Sequence, residues 1–172
     1  MHETADDLIR LQDLLDRGAA GASPHMASIF TADRRLSASE LAARLTGMRL
    51  LTLATVTAKG EPRTAPVDGL FYQGHFWFGS APEAVKFRHI RARPAVSATH
   101  LPGESFAVIV HGTCHLVDIR SDEMAGLRSY CREVYGPDWE DFGLPAQYAR
   151  IDADRMYTYA LPDPTHAGED GR

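Results

Sequence analysis

The spacing of hydrophobic residues along the chain changes near residue 50. Before that point they recur every three or four positions, as at Leu8, Leu11 and Leu15, which is typical of an amphipathic helix. From Leu50 to Val117 apolar and polar residues alternate in five runs separated by short turns, with one amphipathic helical stretch after the third run. The pattern predicts a mainly β (α+β) protein whose strands close into a small barrel.

The residues before the barrel predict two helices. The Gly- and Ala-rich stretch from Gly18 to Pro24 ends the first of them. Ser37 and Glu40 have the spacing of a capping box and start the second, which we expect to plug one end of the barrel. We leave the segment from Ile29 to Arg35 as a loop. The chain therefore divides into a helical extension, a barrel domain and a disordered tail, at residues 1–36, 37–161 and 162–172.

Two hairpins begin the β region. Gly60 lies in the turn of the first, and its second strand contains Pro62 and Pro66, which cannot donate ladder hydrogen bonds. This strand is expected to be irregular or to lie at an edge, where a ligand or a partner chain can approach; a simple edge strand is an equally good interpretation. Gln73 and Gly74 mark the second hairpin, whose aromatic residues are expected to pack inside the barrel.

The helix after the second hairpin carries candidate anion-binding residues. Ser80, three residues before Glu83, predicts the start of this helix, and Val85 and Ile90 are expected to face inward. A cation on its other side could hold a phosphate through charge-assisted hydrogen bonds, although a solvated basic face is the alternative. The residues on that side are Lys86, His89 and Arg93.

Composition and charge narrow the functional classes. The chain has 172 residues, 44% of them hydrophobic, and a net charge of −5, which gives no reason to expect nucleic-acid binding. Cys114 and Cys131 do not have metal-type spacing, and no apolar run is long enough for a signal peptide or a membrane helix. We expect a cytoplasmic protein with neither a membrane nor a nucleic acid as a partner.

Histidines recur in the last of the five runs. Alternation places His111, Thr113 and His115 on one face, opposite Val110 and Gly112, as in a polar strip facing a ligand or a metal pair. Two histidines without a third ligand are a poor metal signal. We therefore favour histidines hydrogen-bonded within the sheet, and we expect no metal site.

The remaining segments predict a cover for the barrel. Leu127 and Cys131 lie on one face of a further helix, and an acidic aromatic loop with Trp139 follows it. This loop could cap the substrate side of a cofactor pocket, or it could be surface packing. The stretch from Ile151 to Tyr159 predicts a final strand.

The order of these elements resembles the pyridoxamine 5′-phosphate oxidase-like superfamily. The resemblance covers about Leu45 to Val117 and extends more weakly to Tyr159. It implies a split β-barrel of about six antiparallel strands with flanking helices, which forms a homodimer with two cofactor sites at the interface. The residues that carry it are Gly60, Pro62, Arg63, Val67, Phe76 to Phe78, Ser80, Lys86, Arg91, Pro94 and Val96.

The resemblance also implies which residues bind the cofactor. Those from Arg63 to Asp68 would line a flavin, those from Phe78 to Ser80 would approach its ribityl and phosphate part, and Lys86 would bind the phosphate. With no Asp or Glu beside them, the cations would be an unpaired cluster unless an anion neutralised them. The full set is Arg63, Thr64, Ala65, Pro66, Val67, Asp68, Phe78, Gly79, Ser80, Lys86 and Arg91.

The activity expected from the resemblance is hydride transfer. The C-terminal part lacks the Trp and Arg-x-His segment with which the true oxidase holds pyridoxal phosphate, so vitamin B6 oxidation is disfavoured. The chain looks more like the flavin and deazaflavin oxidoreductases, with FMN or the deazaflavin coenzyme F-420 reducing a small organic substrate. The ring carries the hydride, so no catalytic acid or base is assigned. A non-catalytic protein that stores flavin or haem is the alternative. The candidate substrate pocket comprises Phe71, His111 and Trp139.

Overall fold

The computed structural model describes residues 2–161, so the predicted disordered tail lies outside the described residues. Its helices are α1 (Ala5–Ala20), α2 (Pro24–Ile29), α3 (Ala38–Arg44), α4 (Val85–Ala92), α5 (Ala125–Tyr135) and α6 (Trp139–Gly143). Its strands are β1 (Met48–Val56), β2 (Pro62–Tyr72), β3 (His75–Ser80), β4 (Ala95–Gly103), β5 (Phe106–Val117) and β6 (Gln147–Ala160). Short 3₁₀ segments lie at Ala32–Arg34 and Asp122–Met124. None of the described helices has the length and apolar character needed to span a membrane.

The six strands close into an antiparallel barrel in the order β1-β2-β3-β6-β5-β4, which confirms the predicted fold class. The barrel is split between β2 and β3. Strand β2 pairs with β1 from Pro62 to Leu70, but with β3 only from Gly69 to Tyr72. The first part of β2 therefore has a strand on one side only, as expected for a strand that contains two prolines.

The hairpin aromatics divide between the two faces of the barrel wall. Phe71, Phe76 and Phe78 are buried in the barrel interior, as predicted. Trp77 lies on the opposite face, because successive strand residues point to opposite sides of a sheet. It packs outside the barrel in a second cluster with α5 residues such as Leu127. The helix predicted as a cover thus has a core of its own.

The N-terminal helices pack into the barrel core. Leu11 and Leu15 of α1 and Leu41 of α3 are buried in the same cluster as the barrel aromatics. The predicted capping box of Ser37 and Glu40 is present. Helix α2 was not predicted: Ser23 caps it and it begins at a proline, but none of its residues is buried. Its local capping chemistry, rather than an apolar face, specifies it.

Two expectations about α4 are wrong. Ser80 is the last residue of β3, and α4 begins only at Val85, after Ala84, which makes no side-chain cap. Val85 is exposed, whereas Phe87 and Ile90 face the core. The physical reason is that pairing with Gln147 of β6 holds Ser80 in the sheet, so the helix begins only after the turn that follows β3.

We predict that Gly112 is required for close packing of β5 on β6. The register of this strand pair shifts between His111 and Gly112, and a Cβ on Gly112 would lie 2.1 Å from the backbone oxygen of Asp152. Gly112→Ala should therefore destabilise the protein by about 1 to 3 kcal/mol in urea unfolding. Gly103→Ala is the control, because a Cβ there meets no atom within 4 Å. Equal stabilities for the two variants would contradict the described packing.

Candidate functional site

A cationic cavity of about 420 Å³ lies between α4 and the hairpin of β1 and β2. Three threonine hydroxyl groups line it, together with basic side chains from β2 and α4. No carboxylate is among its lining residues within the described chain. The cavity therefore combines neutral hydroxyl groups with positive charge, a composition suited to a phosphate. Its polar lining residues are Thr55, Thr57, Thr64, Arg63, Lys86, Arg88 and His89.

Lys86 is the central cation of this cavity. Its Nζ donates a hydrogen bond of 2.9 Å to the Ser80 hydroxyl, so the end of β3 and the first turn of α4 position it. Burial lowers the pKa of the Lys86 ammonium. Within residues 2–161, no carboxylate lies within ion-pair distance of it. A half-buried charge without a counter-ion is costly, and an anionic ligand would remove that cost.

The other predicted basic residues make different contacts. Arg63 forms an ion pair of 2.7 Å with Glu61, so the expectation of an unpaired cluster is wrong for Arg63. Both side chains of this pair are about half exposed, and such pairs contribute little to stability. Arg91 is exposed and does not line the cavity, and Arg93 bonds to the carbonyl of Ala58.

His89 fixes α4 to β1 at the edge of the cationic cavity. Its Nδ1 lies 3.0 Å from the hydroxyl of Thr55, a buried residue of β1. This hydrogen bond joins the helix that carries Lys86 to the strand beside it. The sequence placed His89 and Lys86 on one side of α4, but it gave no signal for Thr55 as the partner.

An aromatic cavity of about 210 Å³ opens beside the split, between the barrel wall and α6. Trp139 forms part of its wall; it is fully buried and donates a hydrogen bond of 3.1 Å from Nε1 to the Tyr148 hydroxyl. Gly79 allows Tyr148 to lie flat on the strand, since a Cβ there would lie 2.9 Å from the tyrosine ring. The other lining side chains include Asp68, Leu70, Trp77, Phe78, Ser80, Tyr135 and Phe142.

One hydrogen bond joins a lining residue of the aromatic cavity to a lining residue of the cationic cavity. Ser80 lines the aromatic cavity, and Lys86, which it binds, lines the cationic cavity. Asp68, Phe78, Gly79 and Ser80 from the predicted cofactor set lie at the aromatic cavity. Arg63, Thr64, Ala65 and Lys86 lie at the cationic cavity. The lining of the two cavities lacks the three remaining predicted residues, Pro66, Val67 and Arg91.

The structure does not bring the predicted substrate-pocket residues together. Trp139 lies at the aromatic cavity, but Phe71 is buried in the barrel interior, with its ring centroid 5.0 Å from that of Phe76. His111 is exposed on β5 and bonds to the Ser97 hydroxyl at 2.7 Å. The reason is the alternation of strand side chains, which points Phe71 into the core. Tyr148 lines the aromatic cavity instead, although the sequence gave no reason to select it.

Two histidines on the outer face of the sheet lie beside Asp152. His75 and His115 each lie 3.4 Å from Asp152, whose carboxylate also accepts two hydrogen bonds from Arg150. Burial lowers the pKa of His75. In the part of the chain that the structure describes, no group of three or more histidine, cysteine, aspartate or glutamate residues is arranged to hold a metal ion.

Comparison with known proteins identifies the family. The model of the pyridoxamine 5′-phosphate oxidase family matches residues 37–158, which is more than half of the chain. The chain belongs to this family. Its matched region contains both cavities and the barrel except the last two residues of β6, and it begins after α1 and α2. No curated protein matches this member of the family.

Solved structures share the fold of this oxidase-family member. A conserved hypothetical protein of Mycobacterium tuberculosis has a TM-score of 0.64 at 22% identity, with 82% of this chain and 98% of that chain covered. A FAD-binding protein of Mesorhizobium loti has a TM-score of 0.59 at 23% identity, with coverage of 76% and 97%. The haem storage protein of Vibrio cholerae has a TM-score of 0.58 at 18% identity, with coverage of 70% and 91%. At these identities the likeness concerns the fold.

Proposed function

We propose that this protein is an oxidoreductase that binds FMN, or the deazaflavin coenzyme F-420, and transfers hydride to a small organic substrate. The observation that carries the proposal is the Lys86 ammonium, half-buried and bound to the Ser80 hydroxyl without a carboxylate partner in the described chain. Because the net charge of the chain is −5, bulk electrostatics do not account for anion binding, and the affinity has to come from this local site.

The residues of the cationic cavity suit a cofactor phosphate. The Lys86 ammonium and the Arg88 guanidinium supply positive charge, and the hydroxyl groups of Thr57 and Thr64 supply neutral donors. Arg63 can leave its exposed partner Glu61 at little cost. FMN and coenzyme F-420 both carry a phosphate group, so this cavity is compatible with either cofactor.

The aromatic cavity would hold the ring of the cofactor or the substrate beside it. The accessible rings of its lining, such as those of Tyr135 and Phe142, offer stacking and edge contacts to a planar molecule. Burial raises the pKa of Tyr148 to about 12, so its hydroxyl keeps its proton at neutral pH. When bound, the flavin or deazaflavin ring supplies the hydride chemistry. The side chains of this protein would bind the phosphate, orient the ring and exclude water.

The names of proteins with this fold mention different cofactors. An F-420 reductase has a TM-score of 0.53 to this chain at 20% identity, with coverage of 66% and 93%. The FAD-binding protein supports a flavin, and the haem storage protein supports the alternative of a non-catalytic binding protein. The cationic cavity favours a cofactor that carries a phosphate.

We further propose that two copies associate through the outer face of β1 and β4, with the cofactor sites at the interface. Leu50 is 58% exposed and Leu101 is 63% exposed on this face. The part of β2 that pairs only with β1 lies beside these two residues, and it also borders the cationic cavity. A two-fold partner would cover both the apolar side chains and the free strand edge.

Lys86→Ala should weaken cofactor binding about tenfold to a hundredfold, because a hydrogen bond from a charged donor contributes about 1.5 to 3 kcal/mol. The cofactor-free Lys86→Ala variant should stay within about 1 kcal/mol of the parent in stability, because the lost hydrogen bond to Ser80 and the relieved burial of charge oppose each other. Fluorescence titration with FMN and coenzyme F-420 measures the affinity. Lys59→Ala, at the exposed hairpin turn, is the matched control. Equal affinities for the two variants would refute the role of Lys86 in phosphate binding.

The protein should be a dimer at micromolar concentration, and Leu50→Asp should shift it towards the monomer, because a buried unpaired carboxylate is costly. Light scattering gives the mass. Ile9→Asp is the control, since Ile9 is equally exposed but lies on α1, away from this face. A monomeric parent protein would exclude the proposed interface and the position of the cofactor site within it.

An oxidoreductase should accelerate oxidation of its reduced cofactor by a suitable acceptor. The aromatic cavity must then admit a flat apolar substrate to within about 3 to 3.5 Å of the reactive ring atom. Stopped-flow mixing of the protein and reduced cofactor with quinones, enones and tetrapyrroles measures this rate. Tight cofactor binding with no acceleration above the rate in free solution, for any of these acceptors, would favour the storage protein.

A further inference from the structure

Asp68 is the one residue with a full charge among those that line the aromatic cavity in the described chain. Its side chain lies on the same face of β2 as that of Leu70, because strand residues two positions apart point to the same side of a sheet. Leu70 packs in one cluster with Trp77, and both line this cavity. The backbone therefore directs the Asp68 carboxylate to the mouth of the cavity, where β2 diverges from β3.

The Asp68 carboxylate acts on Tyr135, a residue of α5 that lines the same cavity. Burial raises the pKa of the Tyr135 hydroxyl, and the negative charge of Asp68 adds to this effect. Such an effect requires the two side chains to lie close together. The carboxylate and the tyrosine ring therefore border the same space.

Asp68 has no counter-ion in the part of the chain that the structure describes. It takes part in none of the ion pairs among residues 2–161. The nearby segment of α6 adds further negative charge, since Asp138 and Asp141 are exposed and are also absent from these ion pairs. The mouth of the cavity thus has an excess of negative charge, which attracts a cation.

Two accessible aromatic rings complete this mouth. The ring of Phe142 on α6 is 59% exposed, and its centroid lies 6.2 Å from that of Tyr135 at an interplanar angle of 85°. Rings at right angles form a corner, and the negative face of an aromatic ring attracts a cation. A carboxylate beside such a corner has the composition of a site for an organic ammonium ion.

We propose that the mouth of the aromatic cavity binds a small organic ammonium ion, with its positive charge beside Asp68 and its alkyl groups against the rings of Tyr135 and Phe142. The substrate of the proposed oxidoreductase then carries such a cation, an assignment that rests on the proposed function. The cavity volume of about 210 Å³ lies below the range of about 300 to 1,000 Å³ that is usual for drug-sized ligands, so the ligand must be small.

Proton NMR titration of the full chain with choline, without added cofactor, tests the cation site. The comparison ligands are 3,3-dimethylbutan-1-ol, which has the shape of choline without its charge, and 3,3-dimethylbutanoate, which is an anion. Choline should bind at least tenfold more tightly than either, and its N-methyl resonance should move upfield because aromatic faces shield it. Absence of choline binding, or equal or tighter binding of either comparison ligand, would overturn the proposal.

Two pairs of variants locate the cation site. Asp68→Asn should weaken choline binding about tenfold, whereas Asp13→Asn, at an exposed carboxylate of α1 outside the lining, should not. Phe142→Leu should weaken it about threefold and reduce the upfield shift, whereas Phe142→Trp should retain both. Circular dichroism checks folding, and light scattering checks the oligomeric state. Unchanged choline affinity in folded Asp68→Asn or in folded Phe142→Leu would overturn the assignment.

The cation site and the proposed cofactor site can fail separately. Lys86→Ala removes the phosphate contact but leaves Asp68 and both rings in place, so it should not weaken choline binding. Choline binding by a protein that binds neither FMN nor coenzyme F-420 would support the cation site and contradict the proposed function. FMN binding without choline binding would contradict only the cation site.

Discussion

The incomplete pairing of β2 with β3 is the constraint on which the rest of the site depends. Pro62 and Pro66 have no amide hydrogen, so β2 cannot offer a continuous ladder on both of its sides. Strands β2 and β3 pair only next to their hairpin turn, from Gly69 to Tyr72 of β2. Before Gly69, β2 diverges from β3. The separation leaves backbone and side chains accessible on a rigid scaffold, and both the cationic and the aromatic cavity open beside it.

The site combines two kinds of surface that a single element could not supply. The cations come from β2 and α4, while the aromatic wall comes from β3, β6 and the short helix α6. Ser80 joins them, since its backbone ends β3 and its hydroxyl binds Lys86. This bond also keeps the ammonium half-buried, where its charge acts in a lower dielectric than at the surface. A ligand with an anionic group and a planar body suits this combination.

Helices α1 and α2 add to the barrel from outside the region that matches the family model. Leu11 and Leu15 of α1 nevertheless belong to the barrel core. Gly18 brings α1 close to β6, because a Cβ at this position would lie 2.3 Å from the backbone oxygen of Met156. The extension is thus anchored along its first helix, while α2 is held loosely and borders a cavity.

The sequence by itself determined the strands, the turn positions, the capped start of α3 and the amphipathic cover, because alternation, glycine turns and capping residues act locally. It also selected Lys86. Tertiary structure alone decided that Thr55 holds His89, and that Phe71 and Trp139 belong to different compartments. These contacts join residues from separate elements, or depend on which face of a strand meets the core. Barrel closure fixes both, and no local pattern encodes them.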